Sequence, residues 1–179
     1  MRQTMTDAKT LYDRDFVAWT EQQAEALRAA GRGGTNQTLD WENLAEEIES
    51  LGKSDRRELH SQIYRIIRHL AKLQFSSAND PRHGWYESIG DARKQIELVL
   101  ADSPSLRPQL EGIVADETAS ANRRAIFDLR KYGEIAAATE RALQAARYSV
   151  DQVLGDWFPP DPTRLPIRRA RVPEGRDGQ

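Results

Sequence analysis

From Asp13 to Gly155 the apolar positions recur every three or four residues, the period of helices that bury one stripe. The most regular stretch is Leu39-Asp-Trp-Glu-Asn-Leu-Ala-Glu-Glu-Ile-Glu-Ser-Leu-Gly52. It sets Trp41, Leu44, Ala45, Ile48 and Leu51 on one face and Glu42, Glu46, Glu47 and Glu49 outside it. Asp40 has the side chain of an N-cap, because its carboxylate can accept a first-turn N–H. Leu39 and Leu44 have the spacing of a hydrophobic staple. Gly52 sits where a helix favours a left-handed C′ residue, so the pattern predicts a short helix that stops there.

The remaining elements follow from the same period and its punctuation. Asp13 is placed to cap a helix from about Arg14 to Ala30, followed by a glycine-rich loop at Gly31, Gly33 and Gly34. Ser54 is placed to cap a second helix to about Phe75, with Leu59, Ile63, Ile66, Leu70 and Leu73 as its stripe. Asp80-Pro81 and Ser103-Pro104 each pair a capping residue with a proline suited to a first helical turn. They open helices to about Asp102 and Tyr132, the latter broken by Gly133. An alanine-rich helix over 134–147 and a short one capped by Ser149 complete the set, with Trp157 and Phe158 pinning the end. With no strand pattern, repeat or sustained heptad, the fold class is all-α: a compact helical bundle with short connections. Trp19, Trp41, Leu44, Ile48, Ile63, Ile66, Leu70, Trp85, Ile89 and Ile96 are its expected core. Residues 1–10 read as a disordered lead-in, 11–158 as a single domain, and 159–179 as a disordered tail rich in proline and arginine.

Composition narrows the function classes. A net charge of −2 gives no global pull toward nucleic acid or acidic membrane, so neither is an expected partner. The absence of cysteine removes thiolate metal sites and cysteine nucleophiles, and is consistent with a cytoplasmic location. No apolar run approaches the roughly 20 residues that span a bilayer. Charge is segregated locally. Residues 39–52 hold five acids and no base, whereas 53–74 hold six bases against two acids. Adjacent opposite blocks predict that the two stretches pack side by side.

Candidate chemistry is sparse. The Glu-x-x-His pairs of a di-iron bundle and the His-Glu-x-x-His of a zinc helix are absent. His60 and His69, nine residues apart, point to opposite sides of their helix. One divalent-metal arrangement remains open, with Glu46 and Glu49 as carboxylate ligands and His69 as imidazole. A straight antiparallel hairpin about Gly52 sets Glu46 about 9 Å and His69 about 25 Å from the turn, which separates them.

Leu11-Tyr-Asp-Arg-Asp-Phe-Val-Ala-Trp19, the 39–52 stretch, His69-Leu-Ala-Lys72 and Ser103-Pro-Ser-Leu-Arg-Pro108 together resemble domain-of-unknown-function family twenty-nine. The resemblance covers about residues 11–158. It implies a bacterial protein with a small helical bundle, and no established reaction, ligand or catalytic residue. The alanine-rich 134–147 segment departs from the proline-containing connection the family implies there.

The sequence therefore favours a non-enzymatic protein–protein interaction module without a cofactor, its partner another protein or a second copy of itself. Glu42, Glu46, Glu47, Glu49, Arg65, Arg68 and Lys72 form the expected interaction surface. The alternative is a metal-binding bundle, in the extreme a metal-dependent hydrolase, using Glu46, Glu49 and His69.

Overall fold

A computed structural model describes residues 10–34 and 38–163. A helical turn over 10–14 leads into α1 (Phe16–Arg32). The cap of α1 is Asp15 rather than Asp13, its Oδ1 accepting from the Ala18 N–H at 3.0 Å. The next helix, α2 (Trp41–Phe75), begins where the sequence places it, with Asp40 Oδ1 accepting from the Asn43 N–H at 3.2 Å. It does not stop at Gly52. It runs unbroken for 35 residues, so the two helices expected on either side of Gly52 are one. Ser54 caps nothing and lies exposed in mid-helix.

Gly52 is there for contact. It is buried, and a Cβ at this position would stand 2.4 Å from Thr20 Oγ1 on α1. Glycine inside a helix costs about 1 kcal/mol relative to alanine, and here that cost is offset by the close crossing of α1. Gly31 does the same at the other end, where a Cβ would meet Trp41 Cβ at 2.8 Å. These two contacts, far apart along both helices, show α1 running antiparallel to the first half of α2.

The second half of α2 is the axis of the bundle. Against it pack α3 (Arg82–Asp102) and α4 (Leu110–Lys131). Pro104–Gln109 forms a 3-10 turn between them. The long helix expected from Ser105 therefore starts at Leu110, because Pro108 lacks an N–H and disfavours helical geometry just before it. Gly133, at φ 68°, ends α4, and the Glu134 N–H returns to Leu129 O at 3.0 Å. The alanine-rich segment forms α5 (Ala137–Ala145), docked through Leu143. Ser149 and Gln152 make a reciprocal capping box at the start of α6 (Val150–Leu154). Arg93 of α3 ties this end down by donating to Gln152 O, Val153 O and Trp157 O at 3.1, 2.9 and 2.9 Å. Phe158 packs edge-on to Tyr86. The expected pinning at residues 157–158 is observed.

The core is aliphatic rather than aromatic. Leu59, Ile63, Ile66, Ile67, Leu70, Leu73, Ile89, Ile96, Leu106 and Leu129 have side chains closed to solvent. Of the expected core, Ile63, Ile66, Leu70, Ile89 and Ile96 are buried. Trp19, Trp41, Trp85 and Ile48 are half-buried, and Leu44 is exposed. The expected tail also starts too early. Pro159 is buried, and Asp161 Oδ1 lies 3.4 Å from Nη2 of the buried Arg82. Residues 1–9 and 164–179 lie outside the described part. No helix among the described residues is long and apolar enough to cross a membrane.

Candidate functional site

The hairpin made by α1 and the first half of α2 has a seam of small residues. Val17, Thr20 and Ala24 of α1 face Ala45 and Gly52 of α2, all buried. Such a seam lets the backbones approach but hides little side-chain area. At about 100° per residue, Glu42, Glu49 and Lys53 turn one way from Ala45, while Leu44, Ile48 and Leu51 turn the other. On α1, measured from Ala24, Glu21 and Arg28 turn the first way and Phe16, Trp19 and Leu27 the second. Because the helices are antiparallel, offsets of the same sense fall on the same side of the hairpin.

The two flanks are chemically opposite. On one, Arg28 donates to Glu42 at 3.1 Å and to Glu49 at 2.8 Å, Lys53 approaches Glu49 at 3.3 Å, and Arg56 pairs with Glu21. Hydrogen bonds from Arg28 and then Lys53 hold the Glu49 carboxyl below its usual range. The other flank leaves Leu44 42% and Leu51 47% exposed. Trp19 and Phe16 stack at 5.9 Å on this side, and Tyr12 meets both rings edge-on. Single exposed leucines are ordinary, but a contiguous apolar face bordered by polar residues marks a contact surface.

The residues expected to form an interaction surface do not act together. Glu42 and Glu49 are spent on Arg28, whereas Glu46, Glu47 and Arg65 are exposed. Arg68 and Lys72 turn into the bundle, both bonding Asp128 Oδ2 on α4, at 2.6 and 2.7 Å. Arg124 adds a third cation at 3.3 Å from Oδ1. The acidic and basic blocks, expected to pack side by side, meet only where they adjoin, at Glu49 and Lys53; their other pairs are with α1 and α4, because a continuous helix cannot fold back on itself. Burial works to raise the Asp128 pKa, but the hydrogen bonds from Lys72 and Arg68 outweigh it and hold the carboxyl below its usual value.

Beside this pair opens a cavity of about 700 Å³, lined by Lys72, Asp128, Trp85, Tyr132, Asp80 and Glu134 among others. Its size suits a small ligand. Its polar groups, however, largely satisfy one another: Lys72 bonds Asp128 and lies 5.6 Å from the Trp85 ring centroid, and Glu134 bonds Ser76. The sequence pattern did not signal Asp128 or Glu134, since each is one carboxylate among many until folding sets cations or a hydroxyl beside it.

The metal arrangement of Glu46, Glu49 and His69 is not formed. Glu46 and His69 lie on one uninterrupted helix, 23 residues and so about 34 Å apart. Among the described residues no three His, Asp or Glu side chains are gathered to hold an ion. His60 Nδ1 instead meets Glu117 Oε1 at 2.8 Å, and exposed His83 lies near Glu87. His69 is tucked at the edge of the core with its Nδ1 buried and without a hydrogen-bond partner.

The fold thus defines a small all-α bundle from which an antiparallel, two-faced hairpin extends. The chain belongs to the family Domain of unknown function DUF29, whose model matches residues 11–158. It is similar to an α-helical protein of unknown function from Rhodospirillum rubrum, whose crystal structure matches with a TM-score of 0.67 at 25% identity, over 82% of this chain and 90% of that one. No curated protein matches the chain.

Proposed function

We propose that this domain is a non-enzymatic protein–protein interaction module of the bacterial cytoplasm, and that its contact surface is the apolar flank of the α1–α2 hairpin. The observation that carries the reading is the division between the hairpin's two flanks. Its charges are gathered into ion pairs on one side, while Leu44, Leu51 and the Tyr12–Phe16–Trp19 cluster stand on the other. Large aromatic side chains beside exposed leucines are the composition of binding hot spots. The expected charged surface contributes less, because Glu42, Glu49, Arg68 and Lys72 already have partners within the chain.

A photo-crosslinking side chain placed at position 44 or 51 of the full chain, in cells of its source, tests this. Discrete protein adducts are expected from these two positions and not from positions 46 and 53 on the opposite flank. Equal labelling from all four, or none from any, overturns the reading.

A further inference from the structure

We infer that the partner of this flank is a second copy of the same chain, the two hairpins closing face to face into a four-helix bundle about a two-fold axis. The inference rests on the interaction reading above and names its occupant.

The first argument is the shape of what is missing. A two-helix layer with a small-residue seam cannot enclose its own apolar side chains. The nearest closed solution is a second such layer, giving the four-helix arrangement in which all four apolar stripes face inward. The two terminal segments outside the described residues lack the apolar pattern of such a layer. Residues 1–9 bring only Met1, Met5 and Ala8 as apolar side chains. Residues 164–179 set Leu165, Ile167, Ala170 and Val172 among five arginines and two prolines, without the apolar period of a helix, and the chain enters them near Arg82 at the start of α3. The hairpin is met by the other end of that helix: Ser103 Oγ accepts from the Val17 N–H at 3.3 Å and donates to Asp55 at 3.1 Å.

The second argument is register. Asp55 lies on the same flank as Leu51, so α3 and its end occupy that side of α2 from residue 55 onward. A partner hairpin running parallel would drive its own α2 into α3. The antiparallel pairing avoids this, because the partner's α2 then continues past Trp41, away from the end of α3. With the axis beside Ile48, Leu44 of each copy meets Leu51 of the other, and Ile48 meets Ile48. Along α1, the same operation sets bulky Trp19 over Ala30, and Phe16 over Gly33. Large residues fall on small ones, as an isologous interface requires of a self-complementary patch.

The third argument is area. Seventeen residues of α1 make a face about 25 Å long, and two helices make it about 20 Å wide. That is about 500 Å² of projected area from each copy, or about 1,000 Å² for the pair, the lower threshold of a biological interface and the size of a weak, concentration-dependent dimer.

Sedimentation equilibrium of the full chain from about 1 to 200 µM tests the inference. The expected species at the upper end has twice the 20.3 kDa chain mass. The Leu44→Glu/Leu51→Glu variant, which buries facing carboxylates, is expected to raise the dissociation constant at least ~100-fold. Its helical circular dichroism is expected to match wild type, because both positions are exposed in the single chain. Since the chain has no cysteine, Ile48→Cys gives a direct reading of the axis. Mild oxidation is expected to link it into a covalent dimer, and to leave Glu46→Cys without that link. A wild-type monomer at 200 µM overturns the second copy. So does a dimer that survives Leu44→Glu/Leu51→Glu, or one that crosslinks through position 46 as readily as through 48. A monomer that still yields foreign adducts from positions 44 and 51 in cells defeats only the second copy. A monomer without such adducts defeats the interaction reading as well.

Discussion

The two halves of α2 share one backbone and obey different rules. From Leu59 to Leu73 the helix is enclosed on several sides, and seven aliphatic side chains, Ala71 included, are closed to solvent. From Trp41 to Gly52 its buried residues are Ala45 and Gly52, on the face turned to α1. The second half is held by area, the first by a close backbone crossing and a row of ion pairs. Exposed ion pairs contribute little, about 0–1 kcal/mol each. The bundle half is therefore where stability resides, and the hairpin half is where apolar surface is left over.

The sharpest break of that comparison uses equal substitutions in the two halves. Leu70→Ala removes a fully buried side chain and is expected to cost about 3–5 kcal/mol. Leu44→Ala, measured by urea melts at micromolar concentration where the chain is alone, is expected to change stability by about 0.5 kcal/mol or less. Similar losses at both positions would mean that the hairpin is part of the core after all.

A smaller effect tests the crossing itself. Gly52→Ala gains about 1 kcal/mol of helix propensity. It also sets a methyl 2.4 Å from Thr20 Oγ1, which already donates to Val17 O at 2.8 Å. Overpacking of this kind costs about 1–3 kcal/mol, so a net loss of up to about 2 kcal/mol is expected. In a Thr20→Ala background the obstructing oxygen is gone, and the same change is expected to become neutral or stabilising. A double-mutant cycle on thermal melts checks this. Additive effects would place Gly52 in the helix for some reason other than contact with α1.

Gly52 also shows what was legible in the sequence. Helical period and most boundaries could be read, because caps and prolines act locally: Asp40, Ser149 and Gly133 behave as their side chains dictate. Gly52 could not be read, because a glycine that ends a helix and a glycine that admits a neighbouring helix look alike in one dimension. That ambiguity splits α2 in two and puts Glu46 and Glu49 on a different helix from His69, the condition on which the metal alternative depended. Leu44 and Leu51 have the spacing of a buried face, but period reports only that residues share a side. Whether another element covers that side is a tertiary fact. The cation cluster on Asp128 was invisible for the same reason, since Arg68 and Lys72 lie 60 and 56 residues before it.

The mildest test places one acid sensitivity, between about pH 6.5 and 4, in the bundle half. Burial, reinforced by the nearby charges of Lys72 and Arg68, pushes the His69 imidazole down from 6.5 to about 4, and the charge of Asp128 opposes this only in part. The folded pKa is the lower one, so between about pH 6.5 and 4 the unfolded chain binds a proton that the folded chain does not. Stability is then full above about pH 6.5 and falls as pH drops through this window. A tenfold difference in proton affinity between the two states corresponds to about 1.4 kcal/mol. The ring retains some solvent access, so about 1–2 kcal/mol is the expected loss by pH 4. Asp128, held below its ordinary 3.8, adds a further loss only at more acid pH, when its proton breaks the contacts with Arg68, Lys72 and Arg124. His69→Leu is expected to flatten the slope between pH 6.5 and 4 and leave the steeper fall below it. Urea titrations at half-unit pH intervals separate the two. A variant with the wild-type slope would assign the acid sensitivity to other groups and leave His69 as a neutral spectator at the edge of the core.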